Sequence, residues 1–313
     1  MRRVRVAAAQ VAPVFMDRTA TLAKAVDTVQ EAARNGAELV AFPEAFVPGY
    51  PFWAMALDPM SINPFLQRLY AESLEIPSPA LEPLRAAARE ASVSVCLGLS
   101  ERAGGTLYNS QLFIGPDGDI VGRRRKLMPT SHERMVWGRG DGTDLSVFEL
   151  PFGRTGALIC YEHANALFRY ALIAQGEEIH IATWPGLAGI SSVVDAACRH
   201  HAFESQAFVI NVTSVLTSEI LAALGSGGSV NKLQPGGGYT AIVAPRGDFL
   251  AGPVRDGEAI LYADLDPVLI ERAKSIVDTA GHYARPDVVT LHLNQTAQTP
   301  LVIHRGDTHD ESP

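Results

Sequence analysis

Short apolar runs that suit β-strands alternate with segments of helical periodicity along most of this chain. The first run spans residues 4–11, and in the pattern that begins near residue 19 apolar residues recur on one helical face until Gly36. The same alternation repeats after residue 157. Alternating strands and helices are typical of α/β proteins, in which helices cover the faces of a sheet. We therefore predict an α/β fold in which two mixed sheets pack face to face with helices outside.

The remaining elements follow from the same two periodicities. A hairpin runs through residues 109–115 and turns at Pro116-Asp117-Gly118, shortly before Lys126. Further strands are predicted at residues 93–99, 179–183, 208–212, 239–243 and 259–263, and further helices at residues 81–91, 166–175, 196–206 and 267–277.

The 313-residue chain carries no linker composition or charge block that would divide it. We expect one domain over residues 1–295, followed by a polar tail, residues 296–313, that is flexible and has no assigned function. The hydrophobic share of 47% supports a large buried core. With 26 basic and 34 acidic residues the net charge is −8, which argues against a nucleic-acid partner.

Cysteine usage and the start of the chain bear on its compartment. Three cysteines form an odd and sparse set, which fits a reducing environment better than a disulfide framework. The start Met1-Arg2-Arg3 resembles that of a signal peptide, but Arg5 and Gln10 interrupt the apolar stretch and Pro13 ends it. No run is long enough to span a bilayer. We therefore predict a cytoplasmic protein without a membrane partner.

Cys160 has the setting of a cysteine nucleophile, because it ends the apolar run Ala157-Leu158-Ile159 and is followed by polar residues. A thiol is a poor nucleophile at neutral pH, so it needs a base to take its proton and a cation to favour the thiolate. Glu44 and Lys126 each follow a predicted strand and can supply these two functions. The simpler alternative for Cys160 is a buried structural thiol, the interpretation we keep for Cys96 and Cys198.

No cofactor is expected, and no metal. His200 and His201 are adjacent, so on a helix their side chains point about 100° apart and do not easily share one ion. No histidine or cysteine pair has the spacing of a zinc site. The glycines between residues 225 and 238 lack the pattern of a phosphate-binding loop, and we interpret them as a mobile loop near the site or at a subunit contact.

The trio Glu44, Lys126 and Cys160, in this order, resembles the nitrilase superfamily, whose members use Glu, Lys and Cys from separate strand ends. The resemblance covers residues 4–287 and implies a four-layer αββα sandwich. The segments at residues 42–51, 125–130, 133–138 and 174–180 look like the branch that acts on nitriles. Amidase and carbamoylase relatives usually carry Asp two residues after the nucleophile, where this chain has Glu162.

This resemblance implies a nitrilase, which hydrolyses an organic nitrile to a carboxylic acid and ammonia through a thioimidate and a thioester. The alternatives are an amidase or carbamoylase of the same superfamily, a cyanide-hydrolysing enzyme and, disfavoured by the intact trio, a non-catalytic assembly subunit. The partners implied are a small nitrile and water, together with further copies of the chain in homodimers that build larger or spiral oligomers. Residues 167–170 are the candidate contact, unless they pack against their own sheet.

The resemblance also makes Glu133 a fourth polar member of the site, although a surface ion pair with Arg134 is the plainer interpretation. Asn165 is expected to cap a helix. Aromatic residues and a histidine near the ends of the predicted strands are candidates for binding substrate, yet side chains at such places are as often simple packing. These candidates are Tyr50, Trp53, His132, Trp137, Tyr161 and Trp184.

Overall fold

The computed structural model describes residues 1–302, which form two six-stranded sheets and eight α-helices. The strands are β1 (Val4–Gln10), β2 (Leu39–Ala41), β3 (Ser94–Ala103), β4 (Thr106–Ile114), β5 (Ile120–Arg125), β6 (Phe148–Leu150), β7 (Gly153–Ile159), β8 (Ile179–Trp184), β9 (Phe208–Thr213), β10 (Thr240–Val243), β11 (Phe249–Val254) and β12 (Ala259–Leu265). The helices are α1 (Arg18–Arg34), α2 (Phe52–Ala56), α3 (Asn63–Glu72), α4 (Glu82–Ala91), α5 (Ala166–Ala174), α6 (Ser191–Ser205), α7 (Ser218–Leu224) and α8 (Val268–Lys274).

Both sheets are mixed, as predicted. The first has the order β12-β1-β2-β3-β4-β5, with its central strands β1, β2 and β3 parallel and the others antiparallel to their neighbours. The second has the order β11-β10-β9-β8-β7-β6, and its parallel strands are β7, β8 and β9. In each sheet the parallel strands lie in the middle, where both faces are buried.

The two sheets pack against each other through alternate residues of their strands. Val4, Val6 and Ala8 of β1 share one buried cluster with Ile179 and Ile181 of β8. Side chains of a strand point to opposite faces in turn, so the odd residues of β1 lie on the other side of their sheet. The inner cluster therefore joins the two sheets into the middle layers of the molecule.

Helices cover the two outer faces and complete the four layers. Ala7 and Ala9 of β1 pack in one cluster with Leu22 and Val29 of α1, to which α4 also contributes. On the second sheet, strand residues pack against α6, and Leu158 of β7 packs against α5. The αββα sandwich predicted from the sequence is confirmed.

Elements that the periodicity did not predict are short or lie at the surface. Helix α3 buries only Leu69, and no residue of β11 is fully buried, so neither shows a regular apolar pattern. Helix α2 has five residues, fewer than two turns. An apolar period is visible only where an element buries one face, which these segments do not.

The segment after α8 has no regular strand or helix among its described residues. Part of it nevertheless lies against the body, because the Gln298 backbone N–H donates to Asp141 at 2.9 Å and Gln295 donates to Ser146 at 3.0 Å. Of the predicted tail, residues 303–313 lie outside the described residues. No helix within residues 1–302 combines the length and the apolar character needed to cross a bilayer.

Candidate active site

Cys160 begins a 3-10 turn, Cys160–Ala164, directly after β7. Its φ of 55° lies in the left-handed region, which costs a non-glycine residue about 1–3 kcal/mol. Two hydrogen bonds hold this conformation: the Ile159 N–H donates to Glu162 at 2.7 Å, and His163 Nδ1 lies 2.7 Å from the Cys160 carbonyl oxygen. Because of this sharp turn, the Cys160 side chain leaves the end of β7 and lies beside the first sheet.

The structure brings Glu44, Lys126 and Cys160 together. Lys126 Nζ donates to Glu44 Oε1 at 2.8 Å and to Glu133 Oε2 at 2.7 Å, and all four side chains are buried. One carboxylate oxygen of Glu44, one of Glu133 and Cys160 Sγ lie within 4.8 Å of one another. Glu44 and Lys126 follow strands of the first sheet and Cys160 follows a strand of the second, so the cluster forms where the two sheets meet.

The two oxygens of Glu44 have different surroundings. Oε1 accepts hydrogen bonds from Lys126 and, at 2.7 Å, from the side chain of Asn109. Oε2 is equally buried and has no hydrogen-bond partner among residues 1–302. A buried carboxylate oxygen without a donor is costly, which indicates that its lone pairs serve another purpose. Oε2 is therefore the oxygen available to receive a proton.

Glu133 is also held inside the cluster. It accepts from Lys126, from the Thr130 backbone N–H at 2.7 Å and from the Tyr50 hydroxyl at 2.8 Å. The alternative interpretation, a surface ion pair with Arg134, is wrong, because Glu133 is buried and Arg134 donates instead to a backbone carbonyl. Two carboxylates thus share one ammonium group.

A family model described as carbon-nitrogen hydrolase matches residues 5–275 of this chain. The chain belongs to the carbon–nitrogen hydrolase family.

Relatives that match over most of their own length support this assignment. The chain is 44% identical over 308 residues to an aliphatic nitrilase of Rhodococcus rhodochrous, covering 95% of this chain and 84% of that protein. It is 41% identical over 307 residues to an arylacetonitrilase of Hypocrea virens, covering 94% and 92%.

Solved structures show the same fold at much lower identity. The NitFhit protein of C. elegans superposes with a TM-score of 0.74 at 19% identity, over 96% of this chain and 69% of that one. A carbon-nitrogen hydrolase from Helicobacter pylori gives a TM-score of 0.73 at 20% identity, over 91% and 96%.

Burial sets the protonation states in this carbon–nitrogen hydrolase. It raises the pKa of Glu44 to about 7, against the attraction of Lys126, and the charge of Glu133 adds to the rise. Burial also raises the pKa of the Cys160 thiol well above its usual value, and Glu44 adds to this effect. Lys126 opposes the rise, as expected from the sequence, but does not outweigh it. These shifts favour a protonated thiol, so formation of a thiolate at Cys160 requires a base close by.

Lys126 itself stays charged. Burial lowers the pKa of its ammonium group, but Glu44, Cys160 and Glu133 together raise the pKa well above the ordinary value. An ammonium group has three donors, and two of them are used by the carboxylates. One N–H of Lys126 is thus not used by either carboxylate.

The candidate substrate-binding residues fall into two groups. Tyr50 contacts the charged cluster through Glu133, and its hydroxyl lies 2.9 Å from Nε2 of the half-buried His132. Trp53 and Trp137 belong to the same apolar cluster as Tyr50. Trp137 packs edge-on to Tyr50 with the ring centroids 5.8 Å apart, and its indole N–H donates to a serine hydroxyl at 3.2 Å.

The second group lies on the other side of the cysteine turn. Trp184 is buried in a cluster with Cys160, whereas Tyr161 is 39% exposed. Both line an open cavity of about 490 Å³, whose walls also include His163, Val193 and His200. This cavity borders the turn that carries Cys160. As expected, Asn165 caps a helix: its side chain accepts from the Leu167 N–H at the start of α5.

Sequence analysis missed a buried ion pair that joins the two halves of the site. Arg124 donates to both oxygens of Glu162 at 2.7 and 2.8 Å, and Glu162 also accepts from the backbone N–H groups of Ile159 and Leu127. One carboxylate thus links the residue before Cys160 to the residue after Lys126. The signal was a charged residue two positions before Lys126 and another two positions after Cys160. A charged residue at either place suits an exposed position equally well.

Two clusters of the described residues have side chains of the kinds that bind metals, each with one donor atom per residue within 4.8 Å of the others. In the first, Glu44, Glu133 and Cys160, the Lys126 ammonium already bridges the carboxylates and would repel a metal ion. The second comprises Glu177, His180 and His201, in which each histidine hydrogen-bonds to Glu177. Histidine spacing could not predict it, because strand β8 and helix α6 each contribute one histidine.

Proposed function

We propose that this protein is a nitrilase that converts an organic nitrile and two waters to a carboxylic acid and ammonia, with Cys160 as the nucleophile. The observation that carries the proposal is the buried cluster in which a thiol, a base with one unpartnered oxygen and a fixed ammonium group meet. Relatives that span nearly the whole chain at 41–44% identity are nitrilases by name, which favours nitriles over amides.

The first step is addition of sulfur to the nitrile carbon. Glu44 Oε2 takes the thiol proton as the sulfur–carbon bond forms, and the same proton passes to the nitrile nitrogen. Charge that develops on this nitrogen is stabilised by the remaining N–H of Lys126 and by the backbone N–H of Tyr161. The product of this step is a thioimidate, and Glu44 is again ionised.

The second and third steps are hydrolyses. Glu44 removes a proton from a water molecule that adds to the thioimidate and gives this proton to nitrogen. It then carries the proton of the new hydroxyl group to the same nitrogen, so that ammonia departs and a thioester remains. A second water attacks the resulting thioester in the same way, releasing the acid and the Cys160 thiol. A carboxyl group with a pKa of about 7 suits this alternation, because it gives and takes protons equally well at neutral pH.

Glu133 acts through Lys126 in this scheme. Its contacts with Lys126, Thr130 and Tyr50 hold the ammonium group on the side of Glu44 opposite to the unpartnered oxygen. Tyr50, His132 and Trp137, which lie next to this cluster, are proposed to shape the substrate pocket, with Trp53 behind them. Tyr161 and Trp184 border the cysteine turn from the other side.

The experiment is ammonia release by the purified protein over a panel of phenylacetonitrile, benzonitrile, aliphatic dinitriles, cyanide and the matching amides. We expect release from at least one organic nitrile and none from Cys160→Ala. The matched control is Cys198→Ala, which removes another buried thiol and should leave activity in place. Turnover of amides alone would establish the amidase alternative, and turnover of cyanide alone the narrower one. Activity in Cys160→Ala would exclude the scheme.

We also propose that two copies of the chain pair through α5 and α6. Leu167 of α5 and Phe203 of α6 are 61% and 59% exposed, which is unusual for large apolar side chains on adjacent helices. Sedimentation of Leu167→Arg against wild type tests this contact. We expect smaller particles for the variant, and an unchanged assembly would place the contact elsewhere.

The compartment and the extent of the domain are further proposals. All three cysteines are buried and unpaired, which supports a reducing compartment such as the cytoplasm. The inner apolar cluster includes residues of both sheets, which supports a single folding unit over residues 1–295.

A further inference from the structure

Buried polar side chains form a hydrogen-bond chain that runs from the Cys160 turn into the second sheet. His163 Nδ1 lies 2.7 Å from the Cys160 carbonyl oxygen, and His163 Nε2 lies 2.9 Å from His180 Nε2. His180 Nδ1 lies 2.9 Å from Glu177 Oε2, and His201 Nε2 lies 2.6 Å from Glu177 Oε1. All four side chains are buried, and the proposed chemistry uses none of them.

The three links from Glu177 to the Cys160 carbonyl need one proton each. A carbonyl oxygen only accepts, so His163 must carry a proton on Nδ1, and an ionised carboxylate only accepts, so His180 must carry one on Nδ1. Two neutral imidazoles have no proton left for the contact between their Nε2 atoms. At 2.9 Å two lone pairs would then face each other, which is repulsive.

Two neutral imidazoles and an ionised carboxylate supply two protons for the three links. This hydrogen-bond chain therefore needs one additional proton. Burial lowers the pKa of His163 and of His180, the latter to about 4, so neither ring would hold this proton alone. Burial also works against ionised Glu177, but His180 and His201 outweigh it and lower the pKa of Glu177 to about 2. Trp184, stacked on His163 with centroids 5.1 Å apart, favours an extra positive charge on that ring. Positive charge on His180, His201 and Arg124 opposes it.

The His163 end of this hydrogen-bond chain fixes the peptide group between Cys160 and Tyr161. In a planar trans peptide the C=O and the N–H point in opposite directions. Because His163 holds the Cys160 carbonyl on its own side, the Tyr161 N–H points away from His163. This N–H belongs to the residue that follows the nucleophile, and it is among the groups that oppose the burial-driven rise in the pKa of Cys160. A hydrogen bond to the carbonyl also polarises the peptide and strengthens its N–H as a donor.

We propose that Glu177, His180 and His163 form a hydrogen-bond chain holding one additional proton, and that this chain orients and polarises the Cys160–Tyr161 peptide so that the Tyr161 N–H stabilises the reacting nitrogen or oxygen. The three side chains are positioning residues, because they act through the peptide and not on the substrate. The catalytic part of this inference rests on the proposed function; the proton count does not.

Neutron diffraction of the deuterium-exchanged protein at neutral pH tests the proton count without any substrate. We expect deuterium on all three links, including one between the two Nε2 atoms. The matched variant is Glu177→Gln, whose amide N–H supplies the third link, so that all links persist with neutral imidazoles. Its His180 Nδ1 should then carry no deuterium. A wild-type protein without deuterium between the Nε2 atoms would overturn the count.

Kinetics of two His163 variants test the effect on the peptide. His163→Asn keeps a donor near the position of Nδ1, whereas His163→Leu removes it. We expect His163→Leu to lower kcat about a hundredfold, the low end of the loss seen when one oxyanion-hole donor is removed, with KM little changed. His163→Asn should recover most of that loss. Equal losses in both variants, or none in His163→Leu, would show that the carbonyl contact does not matter.

Glu177→Gln keeps the proposal testable if His163→Leu does not fold. Because this variant preserves all three links, it should recover most of the kcat that Glu177→Leu loses by removing the third link, and equal losses in the two folded variants would contradict the proposal. If wild type hydrolyses amides instead of nitriles, the same comparisons apply to kcat on amides. The neutron experiment uses no substrate, so its result does not depend on the proposed function. A wrong proposed function and a wrong proton count are therefore distinguishable.

Discussion

The ammonium nitrogen of Lys126 lies 2.8 Å from Glu44 Oε1, and this contact decides which oxygen of Glu44 can act as a base. Asn109 donates to the same oxygen, so Oε1 is saturated while Oε2 has no donor among the described residues. A carboxylate held at one oxygen cannot rotate freely, which keeps the other oxygen in place for the thiol proton. In the proposed mechanism, Lys126 thus fixes the direction of proton transfer as well as supplying charge.

Replacing Glu44 by Gln should remove the base while keeping the shape of the site. General-base catalysis contributes about 10²–10⁴-fold, so we expect kcat to fall by at least about a hundredfold. Alkylation of Cys160 should slow as well, because its buried thiol then has no acceptor for its proton. The measurements are ammonia release and peptide mapping after iodoacetamide treatment. Glu38→Gln, at an exposed ion pair, is the control and should match wild type. An equally active Glu44→Gln protein would contradict this role.

The pH dependence of kcat/KM should show an acidic limb near pH 7. Glu44 must be ionised in the free enzyme to accept the thiol proton, and burial raises its pKa from 4.5 to about 7. Activity should therefore be lost as the pH falls through 7.

Stability should change in the opposite sense, because a folded state that holds the proton more tightly loses stability as the pH rises from about 4.5 to 7. Urea denaturation of wild type and Glu44→Gln across this range measures the change in stability. For activity, an acidic limb of kcat/KM near pH 4.5 would contradict the raised pKa of Glu44.

Replacing Glu133 by Gln should shift that acidic limb and lower the rate. The negative charge of Glu133 raises the pKa of Glu44, so its removal should move the limb to lower pH. Lys126 also loses one of the two carboxylates that hold it, and we expect kcat to fall by about tenfold or more. Profiles of kcat/KM for wild type and Glu133→Gln give both quantities. A shift toward higher pH would show that Glu133 acts differently on Glu44.

The sequence predicted the layers of the fold because strands and helices that bury one face must show an apolar period. Glu44, Lys126 and Cys160 were predicted to meet because each follows a strand. Asn109 and Arg124 were missed, since a polar residue in a strand shows its partner only once the register is known. His180 and His201 were missed as a pair because strand β8 and helix α6 bring them together only in the folded protein.

The ion pair of Arg124 and Glu162 is predicted to be the most sensitive point of the polar core. Removing one partner of a buried pair leaves an uncompensated charge, which typically costs about 3–5 kcal/mol. We expect Arg124→Met and Glu162→Gln each to lower the free energy of unfolding by this order. The Arg124→Met/Glu162→Gln double variant should lose less than the sum of the two, because no buried charge remains in the pair.

Urea denaturation of the two single variants and the double variant measures this coupling. The pair Arg285 and Asp287, with side chains 70% and 61% exposed, provides the matched control. Arg285→Met should leave the free energy of unfolding close to the wild-type value, since exposed ion pairs contribute little. An Arg124→Met variant that loses no more free energy of unfolding than Arg285→Met would contradict this prediction. Glu162 would then be held by its backbone donors alone, without a contribution from Arg124.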